Sequence, residues 1–101
     1  MKFFVIGDEE TVQGFRLAGV EGEAVQGTDQ AQNCLDRAMQ TKGIGVILIT
    51  ERVAQSIRAE VDRHVYKTSL PLILEIPDAQ GTAEGRGGVR ELIRSAVGIH
   101  L

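Results

Sequence analysis

The sequence is short of several residue types, and each shortage excludes a kind of structure or ligand. Cys34 is the single cysteine among 101 residues, so no disulfide can form within the chain, which fits a reducing cytoplasm. Three Phe, one Tyr and no Trp are too few for the stacking platforms of single-strand nucleic-acid binders. No apolar run approaches the roughly 20 residues that span a bilayer.

Positive charge is also scarce. Eleven Lys and Arg against fourteen Asp and Glu give a formal net charge of −3, and no basic block occurs, so we expect no nucleic-acid partner. The remaining composition is ordinary, because 43% hydrophobic and 25% charged residues are typical of a soluble globular chain. A chain of this length can bury one core and not a second.

Short apolar runs along the chain predict strands. The runs are KFFVI (2–6), GVILIT (45–50) and LPLILEIP (70–77). Their length and β-branched residues are typical of buried strands, the first of them buried on both faces. A weaker edge strand is expected at 23–26.

The segments between these strands carry apolar residues at helical spacing, which predicts helices. Asp8 and Thr28 are predicted to cap the first two helices. Cys34 lies on the apolar face of the second helix, and we interpret it as a buried packing thiol. A third helix is predicted over 51–67, with these residues facing inward: Val53, Ile57, Val61 and Val65. His64, in its last turns, is interpreted as a helix-end residue and not as a ligand or base.

The alternation of strands and helices predicts the fold class. Right-handed crossovers give a doubly wound, four-stranded parallel sheet of order 2-1-3-4, receiver- or flavodoxin-like, with a mobile C-terminal helix. The last strand at a sheet edge accounts for Pro71 and for Glu75 within an apolar run. The predicted organisation is one domain: an α/β core over 1–77, a flexible Gly-rich loop over 78–88, and an amphipathic helix and tail over 89–101.

The carboxyl ends of the strands are where such a sheet binds ligands. They would collect Gly7, Asp8, Glu9, Thr50, Glu51 and the 77–82 region. The acidic pair after the first strand resembles the Mg²⁺ ligands of phosphoreceiver domains. However, strand 45–50 ends in Thr50 where the phosphoacceptor Asp would stand, and no Lys follows a later apolar strand. A receiver-like signalling or small-ligand-binding domain using Asp8, Glu9 and Glu75 is the alternative function.

Other catalytic and cofactor motifs do not match the sequence. The turn IGDEET after the first strand carries one glycine and three carboxylates, which would repel a dinucleotide. The glycines of 81–88 are not followed by the Lys and Ser/Thr of a phosphate-binding loop, and no serine lies in a nucleophile elbow. We therefore predict no catalytic, cofactor-binding or metal-binding residues, and no enzyme activity.

The C-terminal segment carries an amphipathic helical pattern. Its apolar stripe consists of Val89, Leu92, Ile93, Ala96 and Val97, while Arg90 and Arg94 face away from it. An isolated helix of this length is marginal in water, so it must dock. It can pack on its own sheet as the fourth crossover helix, or enter a groove on a partner's helices.

Four stretches together resemble one family. They are IGDEETVQGFRLAGV (6–20), GVILITERVA (45–54), LPLILEIPD (70–78) and GVRELIRSAVGIHL (88–101). They are similar to the F subunit of V-type (archaeal and bacterial A/V-type) ATPases and ATP synthases. The resemblance implies that Gly14, Phe15 and Leu17 belong to the packing of the first helix.

The resemblance implies a noncatalytic subunit of the rotary central stalk, without a cofactor. It would bind the coiled-coil D subunit, turn within the ring of catalytic A and B subunits, and couple ATP hydrolysis or synthesis to rotation and ion transport. It would reach the membrane only through the complex, on the cytoplasmic side. The implied partner-binding residues are Val89, Arg90, Leu92, Ile93, Arg94, Ala96 and Val97. A free-standing adaptor with another helical partner is a further alternative.

Overall fold

The computed structural model describes residues 1–65 and 69–79. Within them, strands and helices alternate along the chain. The elements are β1 (Lys2–Gly7), α1 (Glu9–Leu17), β2 (Glu21–Ala24), α2 (Thr28–Gln40), β3 (Ile44–Thr50), α3 (Glu51–Ser56), α4 (Arg58–Val65) and β4 (Leu72–Ile76). No helix among these residues is long and apolar enough to cross a membrane.

The four strands form one parallel sheet in the order β2-β1-β3-β4. This confirms the predicted α/β fold class and strand order. β1 and β3 are the central strands, and β2 and β4 are the edges. In β3, every residue from Gly45 to Thr50 is buried, as expected for a strand that pairs on both sides and is covered on both faces.

Two apolar clusters hold the sheet between its helices. Beneath α2, α3 and α4, the first cluster includes Ile6, Leu35, Ile47 and Val61, all of them fully buried. On the opposite face, α1 supplies Val12 and Phe15 to the second cluster, which also contains Val5, Leu48 and Ile76. Each large aliphatic side chain buried in this way contributes about 1.5–3 kcal/mol to folding.

The starts of the helices agree with the predicted caps in one case and differ in the other. Asp8 caps α1, because its carboxylate accepts a 3.1 Å hydrogen bond from the Thr11 N–H. Thr28 is not the cap of α2 but its first residue. Gly27 occupies the cap position with φ of 89°, a conformation that glycine adopts without steric cost.

The predicted helix over 51–67 is divided at Ile57. Ile57 leaves the helical conformation (φ −129°, ψ 41°), and its N–H binds the Ala54 carbonyl in a tight turn. The Ser56 hydroxyl donates to the Val53 carbonyl at 2.7 Å, which weakens the helical ladder there. Ile57 and Val61 are buried, whereas Val65, the last residue of α4, is 43% exposed. The inward orientation predicted for Val65 was therefore wrong.

The edge strand β2 lies two residues before its predicted position. The strand was expected at 23–26, between two glycines, yet the residues that pair with β1 begin at Glu21 and include Gly22. Gly22 lies so close to β1 that a Cβ atom there would clash with the carbonyl oxygen and Cγ1 of Val5. The neighbouring strand, and not intrinsic β-propensity, therefore sets the position of this strand.

The ends of two predicted strands are less buried than expected. Lys2 and Phe3 of β1 are exposed, so burial on both faces holds only for the second half of that strand. The run predicted as a strand over 70–77 forms β4 over Leu72–Ile76, and Pro71 precedes the strand, as its missing N–H requires.

Candidate interaction surface

Polar side chains at the carboxyl edge of the sheet bind one another. The Thr11 hydroxyl donates to the Asp8 carboxylate at 2.5 Å and accepts a 3.0 Å hydrogen bond from the Ala79 N–H. This network joins the end of β1, the first turn of α1 and the segment after β4. Thr11 is fully buried. Asp8 therefore has a structural role as a helix cap and as an acceptor for Thr11.

A second part of the same edge is held by an ion pair. The Asp78 carboxylate, 5% exposed as a residue, is paired with Arg52. Thr50 caps α3 through a 3.3 Å hydrogen bond from the Val53 N–H. Its methyl group also closes the space over Gly7, where a Cβ atom would come within 2.6 Å of it. The Asp78–Arg52 ion pair and Thr50 thus stabilise the edge of the sheet where a ligand would bind in related sheets.

Glu75, the third carboxylate of the alternative ligand site, belongs to a different contact. Both of its oxygens accept hydrogen bonds from Arg58 of α4, at 2.6 and 2.8 Å. These bonds lower the pKa of Glu75, chiefly through hydrogen bonding and further through the Arg58 charge. The structure therefore assigns Glu75 to an Arg58 clamp between α4 and β4, and Asp8 to the cap of α1.

Cys34 is buried, 1% exposed, against the sheet. Burial, reinforced by the nearby charge of Glu23, raises its pKa to about 12. A thiol in this state is protonated at neutral pH and is not a nucleophile. The predicted role as a packing thiol is confirmed.

A half-exposed apolar face lies beside α1. In the register of the sheet, Val46 pairs with both Phe3 and Leu72, and Leu48 pairs with Leu74. Paired residues of parallel strands share a face, and Val46 and Leu48 belong to the cluster beneath α1. Phe3, Leu72 and Leu74 are 47–51% exposed. We call these three residues the apolar face.

The chain leaves β4 on the side of the sheet that carries this face. The hydrogen bond from Ala79 to Thr11 of α1 holds the segment after β4 at the α1 side of the sheet. Residues 80–101 follow from this point. In the sequence, this face is indicated by large apolar residues at alternate positions of two strands. The sequence analysis assigned these residues to buried strands.

The predicted partner-binding residues Val89, Arg90, Leu92, Ile93, Arg94, Ala96 and Val97 lie outside the described residues. So do residues 80–88 of the predicted loop and the whole of the predicted tail. The predicted domain boundaries therefore remain predictions. The described core contributes a folded support and an apolar face on the same side of the sheet as Ala79, after which the C-terminal segment follows.

Sequence comparison links the whole chain to one family. The family model of the ATP synthase (F/14-kDa) subunit matches residues 3–93. The F subunit of the A-type ATP synthase of Pyrococcus abyssi is 42% identical over 107 residues, covering 100% of this chain and 98% of the relative. The F subunit of the A-type ATP synthase of Thermococcus kodakarensis is 39% identical, with the same coverage.

A solved structure has the same fold. The crystal structure of the F subunit of the V-type ATP synthase from Archaeoglobus fulgidus matches with a TM-score of 0.59 at 20% sequence identity, covering 74% of this chain and 95% of that one. At this identity the match supports the fold, while the family rests on the sequence relatives. The full-length relationship shows that this chain belongs to the family of F subunits of A/V-type ATP synthases.

Proposed function

We propose that this chain is a noncatalytic subunit of the central stalk, which binds the coiled-coil D subunit and couples ATP hydrolysis or synthesis to rotation. The observation that carries the proposal is the relationship to the F subunits of A-type ATP synthases over the whole chain. The engagement of Asp8, Thr50 and Asp78 in caps and an ion pair supports a structural rather than a chemical role for the carboxyl edge.

The C-terminal helix is the proposed contact with the D subunit. Its stripe of Val89, Leu92, Ile93, Ala96 and Val97 would lie against the coiled coil, with Arg90 and Arg94 facing acidic or carbonyl groups. The catalytic A and B subunits are further candidate contacts of this helix. The chain would then be a peripheral component on the cytoplasmic side of the membrane, attached through the complex.

The apolar face offers the same helix a second docking position. Phe3, Leu72 and Leu74 form a strip about half exposed to solvent, and the chain leaves β4 on the same side of the sheet. Burial of this strip under the stripe of the helix would remove apolar surface from water on both sides. We propose that the helix exchanges between this face and the coiled coil, which would allow it to regulate the enzyme.

Binding to a purified D subunit tests the proposal directly. The two proteins are mixed and analysed by size-exclusion chromatography with light scattering, which gives the mass of any complex. We expect a complex with one copy of each, and no ATP hydrolysis by the isolated chain. Absence of a complex with the full-length chain would overturn the stalk assignment. Phosphorylation by a small phosphoryl donor in Mg²⁺ would support the receiver-like alternative instead.

A further inference from the structure

Three potential metal ligands from two helices meet on the side of the sheet opposite α1. Asp36 comes from α2, and Glu60 and His64 come from α4. One ligand atom of each residue lies within 4.8 Å of those of the other two. Glu60 and His64 are four positions apart on a helix, which places them on one face of it. The sequence interpretation of His64 as a helix-end residue had overlooked Glu60, and Asp36 is brought to it only by the fold.

Among the described residues, His64 has no hydrogen bond or ion pair that explains its position. Its Nδ1 atom is buried and has no hydrogen-bond partner within residues 1–65 and 69–79. Nor is the ring ion-paired with a carboxylate in that part of the chain, although Asp36 and Glu60 lie close to it. A buried ring nitrogen without a partner costs free energy, and such groups in a native fold call for an explanation.

The donor set has a definite metal preference. An imidazole nitrogen with two carboxylate oxygens suits Zn²⁺ and similar divalent transition ions, whereas Mg²⁺ and Ca²⁺ prefer oxygen ligands alone. Zn²⁺ binds nitrogen and oxygen ligands at about 2.0–2.2 Å in a tetrahedral arrangement, so the ligand atoms of one ion lie roughly 3.3–3.6 Å apart. Closure of the cluster by roughly 1 Å, through side-chain rotation, would bring all three side chains onto one ion, with water completing the coordination.

We propose that Asp36, Glu60 and His64 form a binding site for a divalent transition-metal ion of the Zn²⁺ type, which ties α4 to α2. Arg63 is the charged group that opposes binding, since it is paired with Glu60. Asp36 is exposed and can turn towards the ion, and Glu60 and His64 are half-buried. The ion would link the two helices through ligands 24 positions apart along the chain, Asp36 and Glu60, and would thereby stabilise the folded state.

Titration of the full-length, chelator-treated chain with ZnCl₂ tests this site. We expect one saturable site per chain by calorimetry, an increase in the thermal unfolding midpoint with Zn²⁺, and a visible absorption band when Co²⁺ is the probe. His64→Gln and Asp36→Asn should each weaken Zn²⁺ binding by at least about tenfold, since even the loss of outer-shell partners costs 10–100-fold.

Three variants serve as matched controls. His100→Gln removes the other histidine of the chain, Asp29→Asn removes a carboxylate from the same helix as Asp36, and Cys34→Ser removes the thiol. Each should bind Zn²⁺ as the unmodified chain does. Asp36 is exposed, so Asp36→Asn keeps the test valid if His64→Gln fails to fold. Absence of a one-to-one site, or binding that Asp36→Asn leaves unchanged, would overturn the proposal. Either result would leave binding to the D subunit untouched.

Discussion

At the scale of single residues, a short hydrogen-bonded chain organises the carboxyl edge of the sheet. Asp8 accepts from the backbone and hydroxyl of Thr11, and Thr11 accepts from the backbone of Ala79, 68 positions away. A local pattern, an Asp after an apolar strand, correctly predicted the cap. The link to Ala79 could not be predicted, because no sequence spacing relates a helical threonine to so distant a backbone group.

Replacement of Asp8 by Ala should destabilise the fold by about 1 kcal/mol, because the N-terminal N–H groups of α1 lose their acceptor. The free energy of unfolding is measured by urea denaturation. Asp8→Asn is the matched control, since asparagine caps helices about as well as aspartate. If Asp8→Ala unfolds at the same urea concentration as the unmodified chain, the cap does not contribute as described.

Replacement of Gly22 by Ala should cost about 1–3 kcal/mol, because the added methyl group overlaps the Val5 backbone and side chain of the central strand β1. Gly19→Ala is a matched comparison. Nothing lies within 4 Å of a Cβ atom at Gly19, but its φ of 89° is unfavourable for alanine. It should lose only about 1–2 kcal/mol. An unchanged unfolding curve for Gly22→Ala would contradict the close approach of β2 to β1.

At the scale of secondary-structure elements, the long, periodic segments were predictable and their ends were not. In α2, the apolar residues recur at helical spacing, and four of them are buried as this spacing predicts: Ala31, Cys34, Leu35 and Ala38. The break between α3 and α4 was missed because the apolar spacing continues through Ile57, whereas the tight turn at Ala54 and the bond from Ser56 interrupt the helix. The burial of β4 was overestimated. Alternate residues of a strand lie on opposite faces of the sheet, and Leu72 and Leu74 lie on a face that leaves them half exposed.

The clamp between Arg58 and Glu75 should make stability depend on acidic pH. The pKa of Glu75 is lowered in the folded chain, so its contribution is present above the usual Glu pKa of about 4.3 and is lost as pH falls through the folded-state pKa. Because both side chains are about one-third exposed, we expect Glu75→Gln to cost no more than about 1 kcal/mol at pH 7.

The stability difference between Glu75→Gln and the unmodified chain should therefore shrink when urea unfolding is repeated below pH 4. Asp62→Asn is the control within the same cluster. Asp62 makes a single, longer contact of 3.3 Å with Arg58 and is half exposed, so its replacement should have a smaller effect. A difference for Glu75→Gln that stays constant across this pH range would argue against the clamp.

The proposed exchange of the C-terminal helix between the apolar face and the coiled coil is tested by fixing this element in one position. A disulfide between Leu74→Cys and Val89→Cys would hold the helix on the apolar face, and buried Cys34 would not compete for oxidant. We expect the oxidised subunit to alter the ATPase rate or its coupling to ion transport in the assembled complex, with recovery on reduction. Equal rates in the oxidised and reduced complexes would rule out regulation by this movement.

At the scale of the whole molecule, the fold was the most predictable feature. Apolar runs alternating with helical patterns, together with right-handed crossovers, leave few arrangements of four strands, and the order β2-β1-β3-β4 is one of them. Family membership was recognisable from stretches at both ends of the chain. The edge contacts and the cluster around His64 were not, because they bring together residues from elements separated in sequence.

The central claim is that a folded core presents its C-terminal helix to the coiled-coil D subunit. Calorimetric titration of the D subunit with the double variant Leu92→Asp and Ile93→Asp, beside Ser95→Asp, tests it most directly. Ser95 lies off the apolar stripe of the helical pattern. We expect the double variant to bind at least about a hundredfold more weakly, since loss of two buried apolar anchors costs several kcal/mol, and Ser95→Asp to bind nearly as the unmodified chain does. Equal affinity of the double variant and the unmodified chain would contradict the account.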